Sequence, residues 1–125
     1  MIRQELPKHL EQREHNAIFD CSQRLKVKLA NSLVNLQLFG SKARGDFNED
    51  SDIDLLVIIA GLKPPIRWLI YEVAADCSLQ YDVLINTHVL DKQRWDEIER
   101  HQDTLWREIE RDGVPLLDLT PITAQ

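Results

Sequence analysis

The run DIDLLVII, residues 52 to 59, limits the fold of this chain more than any other stretch. Beyond its two aspartates it is apolar on both faces, and a strand of that kind has to be covered on both sides. It reads as the central strand of a sheet lying between helices.

The flanking segments supply those helices. From Leu10 onward, Ala17, Ile18, Cys21, Leu25 and Leu29 recur at helical spacing, which predicts an amphipathic helix over about residues 7 to 31 with Pro7 in its first turn. LVNLQLF, residues 33 to 39, alternates in part and stops at Gly40, a strand running into a turn. Pro64 and Pro65 open a helix whose stripe is Ile66, Leu69, Ile70, Val73 and Cys77. YDVLI, residues 81 to 85, is the candidate third strand. Asp91 suits the N-cap of KQRWDEIERHQDTLWREIERD, Asp103 caps a second helix that splits it, and Gly113 and Pro115 end it.

The order helix, strand, strand, helix, strand, helix implies an α/β (α+β) domain with its sheet covered by helices. A chain of 125 residues, 43% hydrophobic, suffices for one core, so residues 1–125 read as one domain with loose ends at 1–6 and 119–125. A net charge of −6 argues against direct nucleic-acid binding through phosphates, though one locally positive site could still take a single nucleotide. The N-terminus has no apolar core of a signal peptide, and no window is long enough to span a bilayer. Cys21 and Cys77, far apart in helical segments, read as reduced core thiols of a cytoplasmic protein.

Against this background Asp52 and Asp54 call for a reason. Two residues apart in a strand, their carboxylates share a face at a Cα separation of roughly 6–7 Å. Without a counter-charge they repel, and a divalent cation removes the conflict. Oxygen-only ligands suit Mg²⁺, which is usually held by a few carboxylates together with substrate phosphates. Asp82, near the start of YDVLI, would add a third carboxylate from a neighbouring strand about 4.8 Å away. Three carboxylates can hold two metals and so support phosphoryl transfer, with Asp82 also the candidate general base. Gly40 and Ser41, followed by a short helical turn through Arg44, offer backbone N–H groups and a hydroxyl to a phosphate. Lys42 and Arg44 are the nearby positive charges. Taken singly these residues have ordinary readings: Ser41 as a helix cap, and Asp52 or Asp82 as solvated surface acids.

Together, Gly40-Ser41, ten residues, then Asp52-x-Asp54 resembles the G-S-x(10)-D-x-D signature of the polymerase-beta-type nucleotidyltransferase superfamily. ARGD and SDIDLLV strengthen the likeness, and the ending LWREIERDGVPL resembles that of MntA-type antitoxins. The resemblance implies a nucleotidyltransferase fold, a small mixed β-sheet flanked by helices. It makes Gly40 and Ser41 triphosphate-binding, with Arg44 a weaker carry-over, and makes Asp52, Asp54 and Asp82 catalytic metal ligands for Mg²⁺. It also implies a function: an antitoxin that neutralises a HEPN-type ribonuclease toxin by moving AMP from ATP to a toxin tyrosine. Asp50, acidic where many relatives are basic or neutral, is a departure, and the loop DFNED is expected to alter how nucleotide or acceptor approaches.

Two other functions compete. One is the same chemistry on a small aminoglycoside-like acceptor. The other is a non-catalytic antitoxin that blocks its toxin by binding, with Trp68, Trp95 and Trp106 as anchors. For all three the simpler role is core packing, since Trp95, Ile98, Trp106 and Ile109 are spaced as one helix stripe. His9, His15, His88 and His101 show no metal spacing and read mainly as surface residues.

Overall fold

A computed structural model describes residues 6–46 and 51–119. The expected tails at 1–5 and 120–125, and Phe47 to Asp50 of the DFNED loop, lie outside the described residues. Leu6 and Leu119, the inner residues of the two ends expected to be loose, are instead buried in the core.

Among the described residues, four strands and five α-helices follow in the order α1 (Gln12–Leu29), β1 (Leu33–Phe39), α2 (Ser41–Arg44), β2 (Ile53–Ile59), α3 (Pro64–Tyr81), β3 (Ile85–Asp91), α4 (Lys92–His101), α5 (Thr104–Asp112) and β4 (Val114–Pro115), with a 3-10 turn at Ala30–Ser32 between α1 and β1. The sheet is mixed, in the order β3-β2-β1-β4. β1 runs antiparallel to β2 and β4, whereas β2 and β3 are parallel and joined through α3. The two-residue β4 sits on the far edge, a strand that sequence reading does not anticipate because VP is too short to show a period.

β2 is buried as its composition demands. Leu55 to Ile59 are all fully buried, and each such side chain removed from water contributes about 1.5–3 kcal/mol. Ile53, Leu55, Val57 and Ile59 face α1 and α3, meeting Ala17, Ile18, Cys21, Leu25, Ile70, Val73 and Cys77. Leu56 and Ile58, with Phe39 of β1, face Trp95, Ile98 and Ile109 of α4 and α5. Cys21 and Cys77 are free and buried in the first of these layers, where the bond to Cys77 and desolvation push the Cys21 thiol above its ordinary value.

Two boundaries differ from the sequence expectation. α1 begins at Gln12 and not near Pro7, because the Glu14 carboxylate accepts the Glu11 N–H at 2.8 Å and caps the helix there; Pro7 lies in a preceding turn closed by Leu10 N–H. The larger difference is β3. YDVLI is not a strand: α3 continues through Tyr81, and Asp82 closes it in the left-handed region at φ 54°. The N–H groups of Asp82 and Val83 both point to the Ser78 carbonyl, and the Ser78 hydroxyl accepts the Ile85 N–H at 3.0 Å. The chain therefore enters the sheet only at Ile85.

α4 and α5 are split as expected. The Asp91 side chain accepts the Gln93 N–H at 3.0 Å and the Leu62 N–H at 2.8 Å, capping α4 while tying it to the β2–α3 loop. These two backbone bonds hold the Asp91 carboxyl below its usual range.

Candidate active site

The site forms where β1 ends, α2 begins and β2 starts. β1 pairs with β2 so that Phe39 lies opposite Asp54, which brings Gly40 against the aspartate side chain. Gly40 has φ 77° and ψ −162°, a conformation open almost only to glycine. A Cβ added there would lie 2.5 Å from Asp54 Oδ2, so this position needs glycine twice over: for its backbone angle and for the closeness of the carboxylate. Ser41 starts the one-turn helix α2, whose N–H groups at Ala43 and Arg44 return to the Gly40 carbonyl.

Side-chain alternation turns Asp54 to the same face as Leu56 and Ile58, the α4/α5 face. Asp52 lies two residues earlier, just before the strand, and is half-buried like Asp54. On the parallel neighbour β3, the residue in register with Asp54 is Asn86, and Leu56 is in register with His88. Both reach Asp54. Asn86 Nδ2 stands 3.4 Å from Oδ1 and His88 Nε2 3.1 Å from the same oxygen. A carboxylate only accepts, so the imidazole contributes an N–H to this contact. Phe39 packs edge-on against the His88 ring at 4.9 Å between centroids and holds it in place. One oxygen of Asp54 is thus occupied by β3 while the other faces the Gly40 turn.

Asp82, the expected third carboxylate, is elsewhere. Its position at the end of α3 puts it in the α1/α3 layer, on the other face of the sheet from Asp54. Its side chain is 98% exposed, and Arg13 of α1 donates to its carboxylate at 3.1 Å and to its carbonyl at 2.8 Å. It borders a cleft of about 320 Å³ together with Arg13, Glu14, Lys42, Ser51 and Ile53. The physical reason is the late start of β3, which carries Asn86 and not Asp82 to the place beside Asp54.

The two expected cations are also committed. Lys42 is buried, its ammonium 2.5 Å from the equally buried Glu14 carboxylate, so it points into the α1 layer and away from the turn. Burial alone would raise the Glu14 carboxyl, but the bonds from Lys42 and from the Glu11 N–H, with the Lys42 and Arg13 charges, hold it below its ordinary value. Arg44 reaches Asp46 at 3.1 Å and Asp112 at 3.4 Å, linking α2 to the end of α5. The Asp46 bond is the main cause that raises the Arg44 pKa further.

Among the described residues no three His, Cys, Asp or Glu side chains are grouped closely enough to hold a metal ion. The Asp54 oxygen on the Gly40 side and a carboxylate at Asp52, two residues earlier, are of the chemistry that suits one divalent cation together with phosphate oxygens. They do not fit a three-carboxylate set. His88 and Asn86 went unrecognised in the sequence, although INTHVL does carry a period-2 alternation that places Asn86 and His88 on one face.

A glycine-serine turn pressed against an aspartate on the central strand of a small mixed sheet has the layout of a nucleotidyltransferase. The family comparison agrees: the nucleotidyltransferase domain matches residues 21–113, well over half of the chain, and the chain belongs to that family. Three relatives in Methanocaldococcus jannaschii are provisionally named protein adenylyltransferases. MJ0141 is 39% identical over 66 residues, 51% of this chain and 66% of that protein. MJ0604 is 44% identical over 45 residues, 36% of this chain and 45% of that protein. MJ1305 is 39% identical over 67 residues, 54% of this chain and 45% of that protein. Each match spans less than two thirds of the relative's length. Among solved structures, one described provisionally as a minimal nucleotidyltransferase aligns with TM-score 0.53 at 23% identity, covering 88% of this chain and all (100%) of that one. A toxin–antitoxin structure with AMP-PNP aligns with TM-score 0.51 at 23% identity, covering 78% of this chain and 71% of that one. Both are likenesses of fold. No helix among the described residues is long and apolar enough to cross a membrane.

Proposed function

We propose that this chain is an antitoxin nucleotidyltransferase that moves AMP from ATP to a tyrosine hydroxyl of a partner HEPN-type ribonuclease toxin. In that reaction the phenolic oxygen bonds to the α-phosphorus, the bond from the α-phosphorus to the pyrophosphate oxygen breaks, pyrophosphate leaves, and the phenolic proton passes to solvent. The Gly40 backbone and Ser41 take the triphosphate, and Asp52 and Asp54 hold Mg²⁺. The cation, when bound, would offset the charge of the phosphates and favour departure of pyrophosphate. Asn86 and His88 keep Asp54 oriented for it.

The observation that carries this reading is the contact of Gly40 with Asp54, because a phosphate cradled at the turn meets the carboxylate at once. Family membership supports the chemistry. The provisional names of the relatives support a protein acceptor, and the AMP-PNP toxin–antitoxin neighbour suggests what kind of protein that is.

The test is to mix the protein with labelled ATP, Mg²⁺ and the product of the neighbouring gene, and to locate label by mass spectrometry. Adenylylated tyrosine is expected, and unlabelled partner refutes the reading. One observation favours a second reading, a non-catalytic antitoxin that acts by binding: the place beside Asp54 on β3 is filled by an amide, and Asp82 is on the other face. Asp52→Asn and Asp54→Asn variants that still protect cells as well as wild type would establish it.

A further inference from the structure

The third acid expected beside the aspartate pair is missing from the sheet, and this has a countable consequence. The neighbour strand presents two side chains to Asp54, and both are nitrogen donors. Asn86 stands in register with Asp54 with its amide nitrogen 3.4 Å from Oδ1, and His88 Nε2 lies 3.1 Å from the same atom. That oxygen is therefore spent on hydrogen bonds within the protein. The remaining oxygen, Oδ2, faces the Gly40 turn, where a phosphate would lie. A second cation on the β3 side would have to displace the two N–H contacts and would gain only a neutral amide and an imidazole in exchange. Mg²⁺ and Mn²⁺ both favour carboxylate oxygens, so the exchange is unfavourable. Asp82, exposed and bonded to Arg13 in the opposite layer, does not make up the deficit.

We infer that the site holds one divalent cation per bound nucleotide, and that Asn86 is the residue that sets this number. The inference rests on the nucleotidyltransferase reading and refines it by stating what the site lacks.

Mn²⁺ and a non-hydrolysable ATP analogue serve as probes, and equilibrium dialysis of the full chain counts ions and nucleotides retained per protein. Wild type and Asp82→Asn are expected to retain one Mn²⁺ per nucleotide, and Asn86→Asp to retain two. The carboxylate added beside Asp54 should also lower the metal-free melting temperature of Asn86→Asp below that of wild type, and Mn²⁺ should restore it, because like charges placed side by side repel until a cation joins them. Two ions in wild type, or loss of an ion in Asp82→Asn, overturn the inference alone and leave the nucleotidyltransferase reading standing. One ion in Asn86→Asp overturns the role of Asn86. Wild type that retains no nucleotide overturns both.

Discussion

Gly40→Ala tests the core of the site, because its effects can be separated by a double-mutant cycle. The first is conformational. At φ 77° and ψ −162° an alanine is held in a region nearly reserved for glycine, at a cost of about 1–3 kcal/mol. The second is steric. The new Cβ would lie 2.5 Å from Asp54 Oδ2, far inside ordinary contact, so the carboxylate has to rotate off its favoured geometry and away from His88 and Asn86. An off-rotamer side chain costs about 0.5–1.5 kcal/mol. The total is about 1.5–4.5 kcal/mol, and with unfolding entropy near 2.1 cal/mol/K per residue over 125 residues, each kcal/mol lowers Tm by about 4 °C. Urea denaturation of Gly40→Ala, Asp54→Ala and the double variant measures the two parts separately. In the Asp54→Ala background the steric part disappears, so Gly40→Ala should cost about 1 kcal/mol less there than in wild type. Strict additivity of the two substitutions would refute the contact on which the site is built, and an unchanged midpoint for Gly40→Ala would refute the strained backbone as well.

Other outcomes follow from the same structure. Asp54→Asn should abolish adenylyl transfer in the labelled-ATP assay while circular dichroism stays native, since it removes charge at almost constant volume. Glu14→Gln strands the buried Lys42 charge and should cost about 3–5 kcal/mol at neutral pH by urea denaturation. Because the folded Glu14 carboxyl lies below its unfolded value of 4.5, its stabilisation is complete above that pH and is lost as pH falls through the folded value; Glu14→Gln should therefore flatten the acid limb of the stability profile. Trp68→Ser, at a side chain 70% exposed and stacked edge-on to Tyr71, should shift stability by no more than about 0.5 kcal/mol in thermal melts.

Two of the departures from the sequence reading are caused by partners distant along the chain. YDVLI has the composition of a strand, but its first residue ends a helix that buries Cys77 and Val73, and Tyr81 donates its hydroxyl to Asp20 of α1 at 2.8 Å. Local propensity cannot register that contact. Lys42 follows Ser41 in the Gly40 turn and reads in the sequence as a positive charge near it, yet Glu14, 28 positions earlier by residue number, draws it into the core. Trp95 and Trp106 take up the core role that their spacing predicts, whereas Trp68 on α3 is exposed.

What the sequence determined by itself is the part set by neighbours in the chain. A doubly apolar run had to become the buried strand β2, and a glycine had to end β1, since both follow from local composition. Only the tertiary structure decided which residue of β3 stands beside Asp54. Register between parallel strands is set by where α3 ends and how its last turn is capped, and that ending depends on packing against α1, so an amide occupies the place where the chain order had suggested an acid.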